Sequence, residues 1–386
     1  MFKNTKLVLI TLFLTISNPS YSAEFLFSGF SFTGQWSQRG DLYPYAAKLS
    51  EEMTDKGSIL DVALNNSLKN FKSSKIKLLL NQSDKVGNGP SVTLAFGLGR
   101  ESVEEVKTSN DVISIYRVMT RILAFDWEEK KLIASFPVQV VYQNVTPVSP
   151  TSDEHIASFR KMYTDLDFGG NVFKAWANRL SEVEIKNRYG LYFGISNVSL
   201  TDAAKNQLPS NLSLSAYSAL VAQTLESTLS KEQQISIVPF TSGESIGKNM
   251  ALRFSDATTL NLSLPEADYA LDMTVKEFKN VEKIKGNVRK VFVAAYVNSR
   301  VYLASEDLNK TYFDANLKHI NRMVFSTSDN VEIDFWSTYQ TALRTLLSRF
   351  SSQISQRDKK ILKIMSPESD LTNPFVNLEK VLEKCR

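Results

Sequence analysis

The strongest constraint on the fold of this chain is an alternation of side-chain types over residues 291–303. One set of alternate positions is aliphatic, with Ser299 as its polar exception: Val291, Val293, Ala295, Val297, Val301 and Leu303. The opposite set is aromatic or polar: Phe292, Tyr296, Asn298, Arg300 and Tyr302. Because successive side chains of a strand point to opposite faces, this period of two predicts a strand with one face against a core.

The neighbouring segments predict what covers that strand. Residues 269–278 repeat the alternation over a shorter run, and Gly286 and Asn287 lie in the link, which predicts a hairpin. We interpret the charges around residues 276–290 as the solvated face of this hairpin. From about Asp334, apolar residues recur at helical spacing. A helix stripe and a sheet face bury each other, so an α+β arrangement is predicted.

The order of predicted elements occurs twice along the chain. Residues 24–187 and residues 188–355 each give strand, helix, four strands and a closing helix, and each closing helix carries a tryptophan near its start, Trp176 and Trp336. We therefore predict an α+β fold of two similar tandem domains, each a mostly antiparallel sheet packed by helices on one face. The alternative is a chance likeness of two α+β domains. Residues 250–264 are expected to form a short helix or loop, and residues 356–386 a charged tail with a short helix.

The first 23 residues have the pattern of a secretory signal. Lys3 and Lys6 precede an apolar run at 7–16, and Tyr21, Ser22 and Ala23 precede the expected cleavage before Glu24. The run is too short to span a bilayer comfortably. No cysteine directly follows the signal segment, so a bacterial lipid anchor is not expected, and the predicted compartment is the periplasm.

Composition limits the classes of function. The 386 residues suffice for two domains with cores. The net charge of +4, or +2 without Lys3 and Lys6, is too small to predict nucleic-acid binding. Cys385 is the single cysteine, so no disulfide can form within the chain. A free thiol is expected, and a disulfide between chains is the alternative.

One motif has the form of a catalytic nucleophile. Residues 243–247 spell GESIG, which matches G-x-S-x-G with Ser245 at its centre, and His319 follows downstream. The acids available between them are Asp268, Asp272, Asp307 and Asp314. A nucleophile elbow needs a parallel sheet with a helix behind it, whereas the strands that follow are predicted to be antiparallel. A serine hydrolase is therefore kept only as an alternative.

Metal and cofactor sites are not predicted. The two histidines, His155 and His319, lie in different halves and have no partner at ligand spacing. Asp165 and Asp167, and likewise Glu104 and Glu105, are expected to be surface acids.

The second half resembles a group of periplasmic α+β domains. The likeness is carried by a strand ending in ISIVPF at 235–240, by Ala267, Asp268 and Tyr269 at the start of the next strand, and by Phe278 near its end. Over roughly residues 190–355 it is similar to the domain of the curli-secretion lipoprotein, the amino-terminal domain of the Tol translocation protein, and the lipoprotein activators of penicillin-binding proteins. The resemblance implies a non-enzymatic part of an envelope assembly. Pore formation is not expected, since no obvious membrane-inserting hairpin is present.

These observations predict a non-enzymatic periplasmic accessory or scaffold protein. Its partners would be envelope or periplasmic proteins of an assembly, secretion or cell-wall complex, and a homo-oligomer is also compatible with the sequence. Phe292, Tyr296 and Tyr302 are the candidate partner contacts, through strand addition or patch burial. The alternative for these aromatics is packing inside the protein. The rival functions are the serine hydrolase at Ser245 and a small-ligand binding protein with a pocket between the domains.

Overall fold

The fold is given by a computed structural model that describes residues 23–80, 92–107, 111–185, 190–210, 212–240, 249–305, 310–328, 331–367 and 369–386. Residues 1–22, which hold most of the predicted signal, and the GESIG motif with Ser245 lie outside these ranges. Among the described residues, no helix combines the length and apolar composition needed to cross a bilayer.

The first half combines a sheet with a group of helices. Its elements are β1 (Ala23–Thr33), α1 (Arg39–Leu42), α2 (Pro44–Ser50), β2 (Met53–Thr54), β3 (Gly57–Ser58), α3 (Ile59–Leu68), β4 (Ile76–Leu79), β5 (Val92–Lys107), β6 (Val112–Asp126), β7 (Lys131–Thr146), α4 (Ser152–Thr164) and α5 (Val172–Glu182). Side-chain caps fix the starts of the longer helices. Ser58 accepts a hydrogen bond from the Leu60 amide at 3.3 Å, and Thr151 and Glu154 form a capping box.

The second half repeats this plan with long strands of similar length. Its elements are β8 (Phe193–Leu200), α6 (Asp202–Lys205), α7 (Leu214–Gln233), β9 (Ile237–Val238), β10 (Asn249–Phe254), β11 (Thr259–Ser263), β12 (Tyr269–Lys285), β13 (Val288–Leu303), β14 (Thr311–Ser326) and α8 (Phe335–Gln356), followed by α9 (Lys359–Met365) and α10 (Thr372–Lys384). The strand predicted from the alternation over 291–303 is confirmed as β13, which lies between β12 and β14.

The two halves share one strand order. In the first sheet the antiparallel meander β7-β6-β5 is followed by β1 and then β4, and in the second sheet β14-β13-β12 is followed by β8 and then β9. In both sheets the first strand of the half runs parallel to its two neighbours. The predicted α+β class with two similar units is therefore confirmed. The division at residues 187 and 188 stays a prediction.

The expectation of a short helix or loop at residues 250–264 is wrong. These residues form the hairpin β10–β11, and the hairpin leaves its own half to join the first sheet. β10 pairs antiparallel with β1, and β11 meets β7 through the pair Ser263 and Lys131. Strands β1, β5, β6, β7, β11 and β10 thus form a closed ring, which we call the barrel. Apolar side chains that alternate along the hairpin, such as Leu252 and Leu262, fill its interior.

Helices of the second half also contact the first sheet. One face of the first sheet packs on α3, α4 and α5, and the other contacts α7 and the hairpin. Ion pairs lie at this interface. Arg121 of β6 pairs with Glu226 of α7, and Glu104 lies 2.8 Å from Arg117 and 3.3 Å from Arg344 of α8. The halves are joined by buried ion pairs as well as by apolar packing.

The charged tail packs against the second half. α10 places Phe375, Leu378, Val381 and Leu382 in the same core as α7 and α8. The Cys385 side chain is also buried there, and burial raises the pKa of its thiol to about 12. A buried, protonated thiol is a poor nucleophile, which favours the free-thiol expectation.

Candidate partner-binding face

The outer face of the second sheet is the candidate site. Along β12, β13 and β14, alternate side chains turn inward onto α7 and α8, and their neighbours form the outer face. Several apolar side chains on this face are open to solvent: Val281 is 50% exposed, Ile320 42% and Val324 52%. Exposed apolar side chains that lie together on one face are typical of a contact surface.

All three aromatic residues predicted as partner contacts lie on this face and are half-buried. Phe292 sits between Val281 on β12 and Arg322 on β14. The Lys279 ammonium lies 5.5 Å from the centre of the Tyr296 ring. The Tyr302 hydroxyl is 3.2 Å from Ser196 Oγ and 3.4 Å from the Asp272 carboxylate. The structure brings Phe292 and Tyr296 into one region and places Tyr302 in a separate polar network.

The face divides into two parts with different charge. Around Tyr302 both signs of charge are present, since Asp272 and Asp314 lie beside Arg300 on neighbouring strands. Towards the β12–β13 turn the charges are nearly all positive. We call this part the distal surface: Lys279, Val281, Lys283, Lys285, Val288, Lys290, Phe292, Tyr296, Lys318, Ile320, Arg322 and Val324. Six of its side chains are basic, and the acid at its border, Glu277, is paired with Lys279 at 2.8 Å.

One edge of the distal surface is an open strand. β14 pairs with β13 along one side, and the described residues place no further strand on its other side. α9 and α10 both contact β14, and Phe375 of α10 packs on Phe313 near the start of the strand. Residues 318–326 therefore offer a free sheet edge, bordered on the outer face by Lys318, Ile320, Arg322 and Val324. Such an edge is a template for another strand.

His319 fixes this strand to the helix beneath it. Its ring turns inward, where Nδ1 lies 3.1 Å from Arg349 of α8 and Nε2 lies 2.8 Å from Asn321. Burial, together with the Arg349 charge, lowers the pKa of His319, so the neutral ring is favoured. Asp272 and Asp314 are on the opposite face of the sheet, so neither orients this histidine as a catalytic triad requires.

The other residues weighed as chemical sites have structural partners. His155 lies 3.1 Å from the Tyr116 hydroxyl and 3.4 Å from Glu105, and Asp165 accepts a hydrogen bond from the Asp167 amide at 3.0 Å. Within the ranges that the structure covers, no group of three acidic, histidine or cysteine side chains is arranged to hold a metal ion.

Sequence reasoning located the aromatics of the face but missed its basic character. The signal is present, because Lys279, Lys283 and Lys285 lie at odd positions of one strand, and Lys318 and Arg322 at even positions of another. It becomes meaningful only when the strand pairing brings these positions to one face.

Comparisons with known proteins add limited information. No protein-family model matches the sequence, and no curated protein matches it. Among solved structures, a minor lipoprotein from Acinetobacter baumannii is similar, with 9% identity, a TM-score of 0.21 and coverage of 46% of this chain and 97% of that one. A Xanthomonas campestris protein from a family named as a domain of unknown function has 11% identity, a TM-score of 0.21 and coverage of 45% and 89%. A Caulobacter crescentus protein named as a lipoprotein has 14% identity, a TM-score of 0.17 and coverage of 43% and 86%. Scores at this level transfer neither a function nor residue roles, and the likeness to the curli, Tol and penicillin-binding-protein activator families stays a prediction.

Proposed function

We propose that this chain is a non-enzymatic envelope protein that binds a partner protein by accepting an extended acidic segment along the free edge of β14. The observation that carries the proposal is the coincidence of an open strand edge at residues 318–326 with a basic, partly apolar face. The signal pattern at residues 1–23 supports a periplasmic location, where partners of an assembly, secretion or cell-wall complex are found.

The face defines the chemistry of the segment. A strand added beside β14 would place its outward side chains next to Lys318, Ile320, Arg322 and Val324. Acidic and aliphatic residues in alternation would complement this row. Backbone hydrogen bonds would supply much of the affinity, and the alternating side chains would supply the specificity.

The same charges explain why the edge is compatible with a soluble protein. A second copy of β14 would bring lysine and arginine against lysine and arginine, and like charges directly opposite one another destabilise a strand pair. Charged edge residues are a common protection against uncontrolled strand pairing. The edge is therefore selective: it repels its own copy and favours an acidic strand.

The test is binding of a labelled nine-residue peptide in which Glu and Val alternate, followed by fluorescence anisotropy. We expect saturable binding that weakens as salt is raised, since the contacts are exposed ion pairs. Reversing two charges in Lys318→Glu/Arg322→Glu should weaken binding about 5- to 30-fold, from two cross-strand pairs of up to about 1 kcal/mol each.

Two controls separate this mechanism from general charge attraction. The variant Lys48→Glu/Lys69→Glu makes the same charge change at exposed positions of the first-half helices and should bind the peptide as the wild type does. A peptide of the same composition with its glutamates in one block should bind weakly, because its side chains cannot alternate to match Lys318, Ile320, Arg322 and Val324. Equal binding of both peptides, or binding only to vesicles containing phosphatidylglycerol, would overturn the proposal.

A further inference from the structure

A second candidate site lies at one end of the barrel and is independent of the partner-binding face. Side chains such as Ala95, Leu123 and Leu252 fill the barrel interior. They do not fill the end of the barrel that is bordered by β1, α3, the start of β5 and the β10–β11 turn. A cavity of about 560 Å³ opens there. This volume is within the range of small-molecule sites, and barrel mouths are a frequent place for them.

The part of β1 that lines the cavity is irregular. The pairing of β1 with β5 shifts register between Phe27 and Phe30, and Gly29 takes a φ of +98°, a conformation that glycine adopts without strain. Ser28 donates to the Leu94 carbonyl at 3.1 Å, which fixes the displaced segment. The bulge places Ser28 and Gly29 opposite Ala95 alone, which disrupts the ladder between β1 and β5 beside the cavity.

The floor of the cavity holds an unpaired hydroxyl. Thr93 is 1% exposed, lines the cavity, and lies two residues before Ala95 on the strand face that points into the barrel. Its Oγ1 has no hydrogen-bond partner. Buried polar atoms in folded proteins nearly always have a partner, so this hydroxyl is placed to bond a molecule that enters.

The rim is acidic on one side and aromatic on the other. Asp61 of α3 and Asp256 of the β10–β11 turn both line the cavity. Burial raises the pKa of Asp61, a hydrogen bond with Ser255 opposes this, and the Asp256 charge raises it further. A cation between the two carboxylates would relieve their repulsion. Trp127 and Phe254 offer apolar and aromatic surface beside them, to which a cation is also attracted.

We propose that the barrel mouth binds a small organic amine, with its ammonium group beside Asp61 and Asp256, its apolar body against Trp127, and a hydroxyl group bonded to Thr93. The side chains supply each element of this recognition: two carboxylates for the charge, an aromatic wall for the body, and a buried acceptor and donor for the hydroxyl. Lys56 also lines the mouth. With Asp61 and Asp256 ionised, the three side chains still give the mouth a net negative charge, which attracts a monovalent cation.

The probe is tyramine, which carries an ammonium, an aromatic body and a hydroxyl, titrated into the full chain by isothermal calorimetry. Phenethylamine lacks the hydroxyl, and 4-hydroxyphenylacetate has a carboxylate in place of the amine. Tyramine should bind more tightly than phenethylamine, and 4-hydroxyphenylacetate should not bind. Absence of tyramine binding at millimolar concentration, or equal binding of the carboxylate probe, would overturn the proposal.

Variants assign the contacts. Asp61→Asn should weaken tyramine binding about tenfold or more through loss of a charged hydrogen bond, while Asp153→Asn on exposed α4 should leave it unchanged. Thr93→Val should weaken the binding of tyramine but not that of phenethylamine. Thr93→Ser keeps the hydroxyl and should bind tyramine as the wild type does. Thermal unfolding of each variant confirms that the fold is intact. If Thr93→Val lost affinity for both amines equally, and Thr93→Ser bound tyramine as weakly as Thr93→Val, Thr93 would act through packing and not through a hydrogen bond to the ligand.

Discussion

Removing the charge of Glu226 should destabilise the protein far more than removing an exposed charge. Glu226 is fully buried, one of its oxygens accepts the Phe240 amide at 2.6 Å, and the other is paired with the Arg121 guanidinium, whose side chain is 5% exposed. Burial raises the pKa of Glu226 even though Arg121 and the Phe240 amide lower it, so desolvation is a large part of the energy of this pair. Glu226→Gln keeps the shape but leaves a buried guanidinium without its counter-charge, which costs about 3–5 kcal/mol.

The assay is equilibrium unfolding in urea at neutral pH, followed by tryptophan fluorescence. Glu52→Gln is the matched control, because its pair with Arg160 is bidentate but about half exposed, and its loss should cost at most about 1 kcal/mol. The double variant Arg121→Met/Glu226→Leu removes both charges and should be much less destabilised than the sum of the single changes. A cost below about 1 kcal/mol for Glu226→Gln, or additive single effects in the double variant, would refute the reasoning.

Four further outcomes are expected. Burial raises the pKa of Glu101 to about 7, although two backbone amides and Tyr163 donate hydrogen bonds to it. Because the folded state holds this proton more tightly than the unfolded chain does, the free energy of unfolding should fall between about pH 4.5 and pH 7, by up to about 1.4 kcal/mol per pH unit. This fall is expected in the wild type and not in Glu101→Gln. Cys385 should resist a thiol reagent in the native protein and react fully in urea; rapid native labelling would contradict its burial. Gly97→Ala should destabilise the protein by about 1–3 kcal/mol in a thermal or urea titration, since its Cβ would lie 2.7 Å from the Leu123 side chain. The wild type should be labelled only weakly by a fluorophosphonate probe, and Ser245→Ala should be labelled to the same extent. Strong labelling of the wild type that is lost in Ser245→Ala would support the hydrolase instead.

The regular elements could be predicted because their signals are local. The alternation in β13 specifies both the strand and its buried face, and the helical spacing after Asp334 specifies α8. Caps such as Ser58 are also read from short stretches of sequence. The shared strand order follows from the repeated order of elements, since neighbours in sequence are usually neighbours in a sheet.

For the hairpin β10–β11, local sequence signals predict the strands but not their pairing partners. Its apolar residues alternate, at 250, 252 and 254 and again at 260, 262 and 264, so two strands were predictable. Their partners were not, because β1 lies more than 200 residues away and the pairing depends on the packing of both halves. The barrel and its mouth exist only through this long-range pairing.

The candidate sites depend on the same kind of contact. Arg121 and Glu226 are 105 residues apart, and neither has a neighbour in sequence that marks it as buried. The basic surface needs the register of three strands before Lys283, Lys290 and Arg322 are known to share a face. Side-chain type was visible in the sequence, whereas its position relative to another segment required the fold.

The most direct test of the proposed docking at β14 is amide hydrogen exchange of residues 318–326 with and without the alternating Glu-Val peptide. In an edge strand, alternate amides point away from the paired neighbour and exchange readily, so strand addition should slow that alternate set. Strong protection is expected at alternate positions of residues 318–326, with little change in β12, and Lys318→Glu/Arg322→Glu should need about 5- to 30-fold more peptide to reach the same protection. Bound peptide without protection of residues 318–326, or protection confined to another strand, would contradict it.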